Sequence, residues 1–330
     1  MHRFIAVALA LLCLLAMLAP GALSPARAQD PTPLASDPYG NYTIDYLARR
    51  SYGAGTLALH EVMESHTDFN RFLISYPSDS LTIYGFMNVP QGPGPFPVII
   101  ALHGYIEPEI YYTIDYTTRY ADALARAGYL VLHPNLRGYK PSDDGPNLLR
   151  VGMAIDVLNL IAIVRDQGGQ PGPLALADPD RIGLWGHSMG GGISLRALTV
   201  SPDVKAAVLY AAMSGDERRN FEAIQSWSGG QRGLAEINVP DDALLRIAPI
   251  HYLDRIEAAV SIHHGTADEL VPPVWSNELC EQLLALEKVV QCLPYPGQPH
   301  TFVGEGDRQF IQNMITFYDT YLKHGVGALP

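Results

Sequence analysis

Residues 186–190 read Gly-His-Ser-Met-Gly, and two more glycines, Gly191 and Gly192, follow directly. A bare G-x-S-x-G is common, but its setting here is restrictive. Arg181–Trp185 is a short apolar run of strand character, and GGISLRALTVS is a helix candidate. A serine on a tight strand-to-helix turn needs small residues on both sides. That turn lifts the hydroxyl above a sheet edge, at a helix N-terminus where negative charge is favoured. The motif therefore demands a parallel strand, a crossover helix and a sheet to hold them.

The surrounding chain supplies that sheet. FNRFLISY and LTIYGFMNV flank Pro77-Ser78-Asp79-Ser80 as a β-hairpin, and PVIIALHG is a short buried strand ending in His103-Gly104. Beyond it, strand-like and helix-like segments alternate through YADALARAG, YLVLHPN, a long apolar helix ending at Gly168, RIGLWG, AAVLYAA, AAVSIHHG, VVQCLPYP and a closing helix RQFIQNMITFYDTYLKH. The expectation is an α/β fold: a mainly parallel central sheet, an antiparallel N-terminal hairpin at one edge, and helices on both faces. Residues 214–250 separate two strands by more than an ordinary crossover. They are read as a small helical insertion over the carboxyl edge of the sheet, either a lid or an elaborate crossover without a binding role.

Serine is a weak nucleophile unless a base takes its proton and an acid orients the base. Both belong downstream, each after a strand. Asp268 follows AAVSIHHG in Thr266-Ala267-Asp268-Glu269, and His300 follows VVQCLPYP in Gly297-Gln298-Pro299-His300. The chain order Ser188, Asp268, His300 suits such a sheet. Glu269 is the neighbouring rival for the acid; His263 and His264, at a strand end, read as structural hydrogen bonders, and His187 as packing. Negative charge developing on a substrate oxygen needs donors. The Met189 N–H is one candidate, and Tyr105 supplies the second through its N–H or its phenol, unless it only lines the pocket. Tyr105, Tyr111, Tyr112 and Tyr116 form either an aromatic binding wall or a packed loop. Arg137 and Asp156 read as structural.

The chain has 330 residues and a formal charge of −12. No Lys/Arg cluster marks a nucleic-acid surface. Neither a metal-ligand spacing nor a dinucleotide or P-loop fingerprint is present, so no metal and no cofactor is expected. At the N-terminus Arg3 precedes an apolar run from Phe4 to about Leu18, and Ala26-Arg27-Ala28 supplies small residues for cleavage. Residues 1–28 are expected to be a signal peptide, too short to anchor in a membrane. Residues 29–65 are read as a leader and 66–330 as the catalytic domain. Of the three cysteines, export leaves Cys280 and Cys292, which are expected to pair. Oligomeric state is not legible.

The motifs GHSMGG, HGTADELVPP and PGQPHTF, with PFPVIIALHG and the YPSDSLTIYGFMNVP hairpin, resemble the α/β-hydrolase superfamily over roughly residues 69–324. They resemble in particular the catalytic domain of the prolyl-oligopeptidase family, with dienelactone hydrolases nearby. The resemblance implies Ser188 as nucleophile, Asp268 as acid and His300 as base, the same three that the residues give. The β-propeller of those peptidases is not expected in the roughly 40 mature residues before the first strand. The elbow also resembles that of secreted cutinases and polyesterases, although Ala212-Met213 stands where those carry Trp-His. The sequence thus points to a secreted serine hydrolase of small esters or short peptides, esters favoured. The rivals are a peptidase of the prolyl-oligopeptidase type and a non-catalytic binding protein on the same scaffold.

Overall fold

The computed structural model describes residues 37–324. The expected signal peptide, 1–28, lies outside the described residues. Nine strands form one sheet: β1 (Ala58–Ser65), β2 (Phe69–Ser78), β3 (Leu81–Pro90), β4 (Phe96–Leu102), β5 (Leu130–Pro134), β6 (Ala177–His187), β7 (Val204–Tyr210), β8 (Ala259–Gly265) and β9 (Val290–Tyr295). Their order is β1-β2-β3-β5-β4-β6-β7-β8-β9. The first three strands run antiparallel, with β3 antiparallel to β5, and every later pairing is parallel. Asp79, at φ 54°, turns the β2–β3 hairpin where the Pro-Ser-Asp-Ser segment places it.

One sequence expectation differs from the structure. Residues 29–65 are read as a leader outside the catalytic domain. Instead α1 (Ile44–Arg49) is capped by Thr43, whose hydroxyl accepts from the Tyr46 N–H, and β1 pairs with β2 at the edge of the sheet. The strand Ala58-Leu59-His60-Glu61-Val62-Met63-Glu64-Ser65 is solvent-exposed over most of its length. An edge strand with no buried face lacks the two-residue apolar alternation that marks a half-buried one.

Parallel strands covered on both faces must be apolar on both, and the core divides accordingly. In β4, Val98, Ile100 and Leu102 join the cluster beneath α3 (Val151–Gln167), α4 (Met189–Val200) and α7 (Pro273–Ala285). The alternating Ile99 and Ala101 face the opposite way, into the cluster under α2 (Thr118–Arg126) and α8 (Gly304–Tyr318). A buried ion pair ties the hairpin to this frame. Asp156 of α3 accepts from the Arg137 side chain at 2.7 Å, the Arg137 N–H at 3.0 Å and Ser78 Oγ at 2.6 Å, the structural role the sequence suggested. The insertion after β7 contains α5 (Glu217–Trp227), a single 3-10 turn (Leu234–Glu236) and α6 (Asp241–Ile247). It packs on α1 through Leu47, Val239, Ala243, Leu244 and Ile247. Among the described residues, no helix is long and apolar enough to cross a membrane.

Candidate active site

All the expected site loops leave the carboxyl ends of parallel strands, the edge at which open α/β sheets present ligand sites. At the centre, β6 runs into α4 through Ser188, which adopts φ 55° and ψ −115°. A non-glycine residue there is strained and persists only when its surroundings enforce it. The neighbours do so by closeness. A Cβ on Gly186 would fall 2.3 Å from the Gly190 carbonyl oxygen, and one on Gly190 2.3 Å from that of Leu102. Only glycine fits at either position, so the small-residue requirement read from the motif is a backbone-to-backbone contact. The Ser188 N–H donates to the Tyr210 carbonyl at 2.9 Å, and the Ser188 carbonyl accepts from the Met213 N–H at 3.0 Å, fixing the turn against β7.

Asp268 and His300 meet across two loops. The Nδ1 of His300 lies 2.7 Å from Asp268 Oδ2. Because a carboxylate can only accept, Nδ1 carries the proton and Nε2 is left as the acceptor. The other oxygen, Oδ1, accepts from the Leu270 and Val271 N–H groups, each at 2.9 Å. His264 is the partner the sequence reading missed. Its Nε2 lies 3.0 Å from Asp268 Oδ2, and its Nδ1 is 2.6 Å from Ser276 Oγ. Burial alone would raise the Asp268 carboxyl. The hydrogen bonds from His264, His300 and Val271 outweigh it and hold the group far below the usual carboxylate range. Asp268, not Glu269, is therefore the carboxylate that meets His300.

Ser188 and His300 line one cavity of about 1380 Å³. It is also lined by Met189, Met213, Tyr139, Val271 and Trp275, and by Ile224 and Trp227 of α5. The insertion, called the cap below, thus lines the site, where its length left open a lid or a crossover without a binding role. Two sets of contacts hold it. At its root, Glu217 is buried between Arg150, at 2.5 Å, and Arg196 of α4, and Arg150 also reaches Glu236 at 3.2 Å. Arg150 adopts the left-handed conformation, φ 59°, just before α3. At its rim, Arg232 pairs with both Glu107 carboxylate oxygens, at 2.5 and 2.6 Å, and its guanidinium lies over the rings of Tyr105 and Trp227.

The four tyrosines, read as either a binding wall or a packed loop, divide between the two roles. Tyr111 is buried in the core and donates to Asn135 Oδ1, whereas Tyr112 is exposed. Tyr105 and Tyr116 line the cavity. The Tyr105 phenol donates to Glu107 at 2.9 Å and accepts from Arg232, so it is engaged at the rim rather than free for an oxyanion. That leaves the backbone N–H as the Tyr105 candidate. The Met189 N–H belongs to the first residue of α4, where a helix has no acceptor of its own to offer. Cys280 of α7 and Cys292 of β9 form a disulfide, with Cα atoms 6.3 Å apart, beside the strand that leads to His300.

The model of the alpha/beta hydrolase fold matches residues 97–236. The chain has the α/β-hydrolase fold. The model of the prolyl oligopeptidase family matches residues 172–325 of this α/β hydrolase, a span that contains Ser188, Asp268 and His300. A Synechocystis sp. protein provisionally named a carboxymethylenebutenolidase is 24% identical over 248 residues, 71% of this chain and 87% of that protein. Among solved structures, a Mycobacterium tuberculosis puromycin-hydrolyzing peptidase aligns at TM-score 0.63 and 21% identity, covering 81% of this chain. This chain spans only 41% of that peptidase. Acetyl xylan esterase 1 from Thermoanaerobacterium sp. aligns at TM-score 0.61 and 20% identity, covering 88% of this chain and 96% of the esterase. The family matches make this α/β hydrolase an enzyme of the serine-hydrolase type.

Proposed function

We propose that the protein is an exported carboxylic-ester hydrolase working through an acyl-enzyme on Ser188. The observation that carries this reading is the Asp268–His300 hydrogen bond, with His300 and the strained Ser188 lining one cavity. His300 Nε2 takes the Ser188 proton as the hydroxyl attacks the carbonyl, while Asp268 fixes the ring tautomer and stabilises the imidazolium. The N–H groups of Met189 and Tyr105 receive the oxyanion. His300 then protonates the leaving alcohol and activates the water that releases the acid.

Esters are favoured because the chain covers nearly the whole of the acetyl xylan esterase and of the carboxymethylenebutenolidase-like protein, but less than half of the peptidase. The cavity exceeds the usual ~300–1,000 Å³ of small-molecule sites, so substrates larger than acetyl esters are expected. Cleavage of short peptides or amides is the second reading, favoured by the prolyl oligopeptidase family match. Export is supported by the pattern of residues 1–28 and by the disulfide, which persists in oxidising compartments.

The test compares p-nitrophenyl esters of increasing acyl length with aminoacyl- and dipeptidyl-p-nitroanilides, using Ser188→Ala as the blank. Ester turnover with negligible anilide cleavage is expected. Anilide cleavage at comparable kcat/KM would replace the ester reading with the peptidase one. Undiminished turnover by Ser188→Ala would overturn both.

A further inference from the structure

Tyr116, in the loop after β4, makes contacts that the chemistry above does not use. Its hydroxyl lies 2.9 Å from the Gly104 nitrogen and 2.6 Å from His187 Nδ1. The other nitrogen of His187, Nε2, lies 3.1 Å from the carbonyl oxygen of His300. Donor and acceptor roles follow from the partners. A carbonyl only accepts, so His187 Nε2 carries the ring proton. Burial, followed by the His300 ring beside it, pushes the His187 pKa down to about 3, so the ring is neutral and Nδ1 is an acceptor. The Tyr116 hydroxyl therefore donates to Nδ1 and accepts from the Gly104 N–H. Every polar atom along this line is matched, and the His187 ring packs against those of Tyr210 and His300, with centroids 4.4 and 4.7 Å away.

This line of three directional bonds joins three separate loops. Gly104 immediately precedes Tyr105, whose N–H is the proposed oxyanion donor. His187 immediately precedes Ser188. The last acceptor is the backbone of His300 itself. These loops leave β4, β6 and β9, strands that are not all neighbours in the sheet.

We propose that Tyr116 and His187 are positioning residues: together they form a strut that sets the oxyanion donor and the base in register with Ser188. The proposal rests on the roles given above to Ser188, His300 and Tyr105. Neither residue touches the reacting atoms. Their effect is on aim, and a misplacement near 1 Å reduces rate by about 100-fold.

The experiment measures kcat and KM on a p-nitrophenyl ester for the full-length mature protein, Tyr116→Phe, His187→Gln and the double variant, each normalised to sites labelled by a fluorophosphonate. Thermal melts run alongside. Tyr116→Phe keeps the ring and removes both bonds. Each single variant is expected to lower kcat per labelled site by roughly 10- to 100-fold, with KM changed less than about threefold. The double variant should be no worse than the poorer single one, because either change cuts the same line. Single variants within twofold of wild type in kcat, or losses that multiply in the double variant, would overturn the strut. So would loss of cooperative melting in both singles, which would mark the contacts as needed for folding. If only one single variant fails to fold, the other carries the test. A wild type left unlabelled at Ser188 would instead remove the reading of the site on which the strut depends.

Discussion

Three buried histidines make the stability of this protein sensitive to mild acid. His133, His187 and His263 are fully buried, and burial pushes the pKa of each down to about 3. None hydrogen-bonds a carboxylate. His133 meets Thr117, His187 meets Tyr116 and a carbonyl, and His263 meets Ser261 and Tyr295. In the unfolded chain the same rings titrate near 6.5. The folded pKa lies below the unfolded one, so between about pH 6.5 and 3 the unfolded chain binds more protons. Stability is therefore full above about pH 6.5 and falls as the pH drops. Between pH 7 and 5.5 each ring contributes a loss of about 1.3 kcal/mol, and the three together about 4 kcal/mol. That is a large part of a typical ~5–15 kcal/mol. Urea unfolding followed by tryptophan fluorescence at pH 7.0, 6.25 and 5.5 measures it directly. His263→Gln should remove its own share of that loss, about 1.3 kcal/mol. The reasoning fails if the free energy in water changes by less than about 1 kcal/mol across this range. It fails equally if NMR finds any of the three rings titrating near 6.5 in the folded protein.

Two further outcomes follow from the cap and the disulfide. Arg232→Ala removes the rim contact with Glu107, Tyr105 and Trp227 but breaks only an exposed ion pair, which contributes little to stability. The melting temperature should hardly move, while the ratio of kcat/KM for long-chain over acetyl esters rises; an unchanged length profile would show that the rim does not restrict entry. Replacing Cys280 and Cys292 together by serine reopens a loop with a sequence separation of 12. The expected loss is about 3 kcal/mol by denaturant unfolding, and titration of two free thiols in unfolded, unreduced wild-type protein would contradict the bridge.

The elements legible in the sequence were those whose signal is local. The elbow, Asp268 and His300 each lie within a few residues of a strand that ends in glycine or proline, so periodicity and turn residues located them. The same holds for the hairpin around Asp79. What escaped depends on partners far away in the chain. Arg232 meets Glu107 125 residues away, and Tyr116 meets His187 71 residues away. Nothing beside Tyr116 distinguishes it from Tyr111, which the fold sends into the core. His264 was read as a structural histidine at a strand end, and its bond to Asp268 arises only because the loop 266–271 folds back over it. Arg150 breaks helical geometry for a charge cluster completed by residues beyond position 190. β1 was missed for another reason: an exposed edge strand has no buried face to imprint a pattern.

The two attachments of the cap differ in how much change they tolerate. Glu217 at its root is enclosed by Arg150 and Arg196, and Arg196 also donates to the Ile247 carbonyl, so α5 and α6 are clamped to the same helix that carries Ser188. Losing Glu217 would strand the buried Arg196 charge, at a cost of about 3–5 kcal/mol. Trp227, which lines the cavity, and Leu234 nearby in the chain are exposed and can vary with little effect on folding. Divergence in substrate range among descendants of this chain should therefore accumulate between residues 227 and 234. The clamp beneath would stay fixed, an arrangement that lets specificity evolve without reopening the question of whether the protein folds.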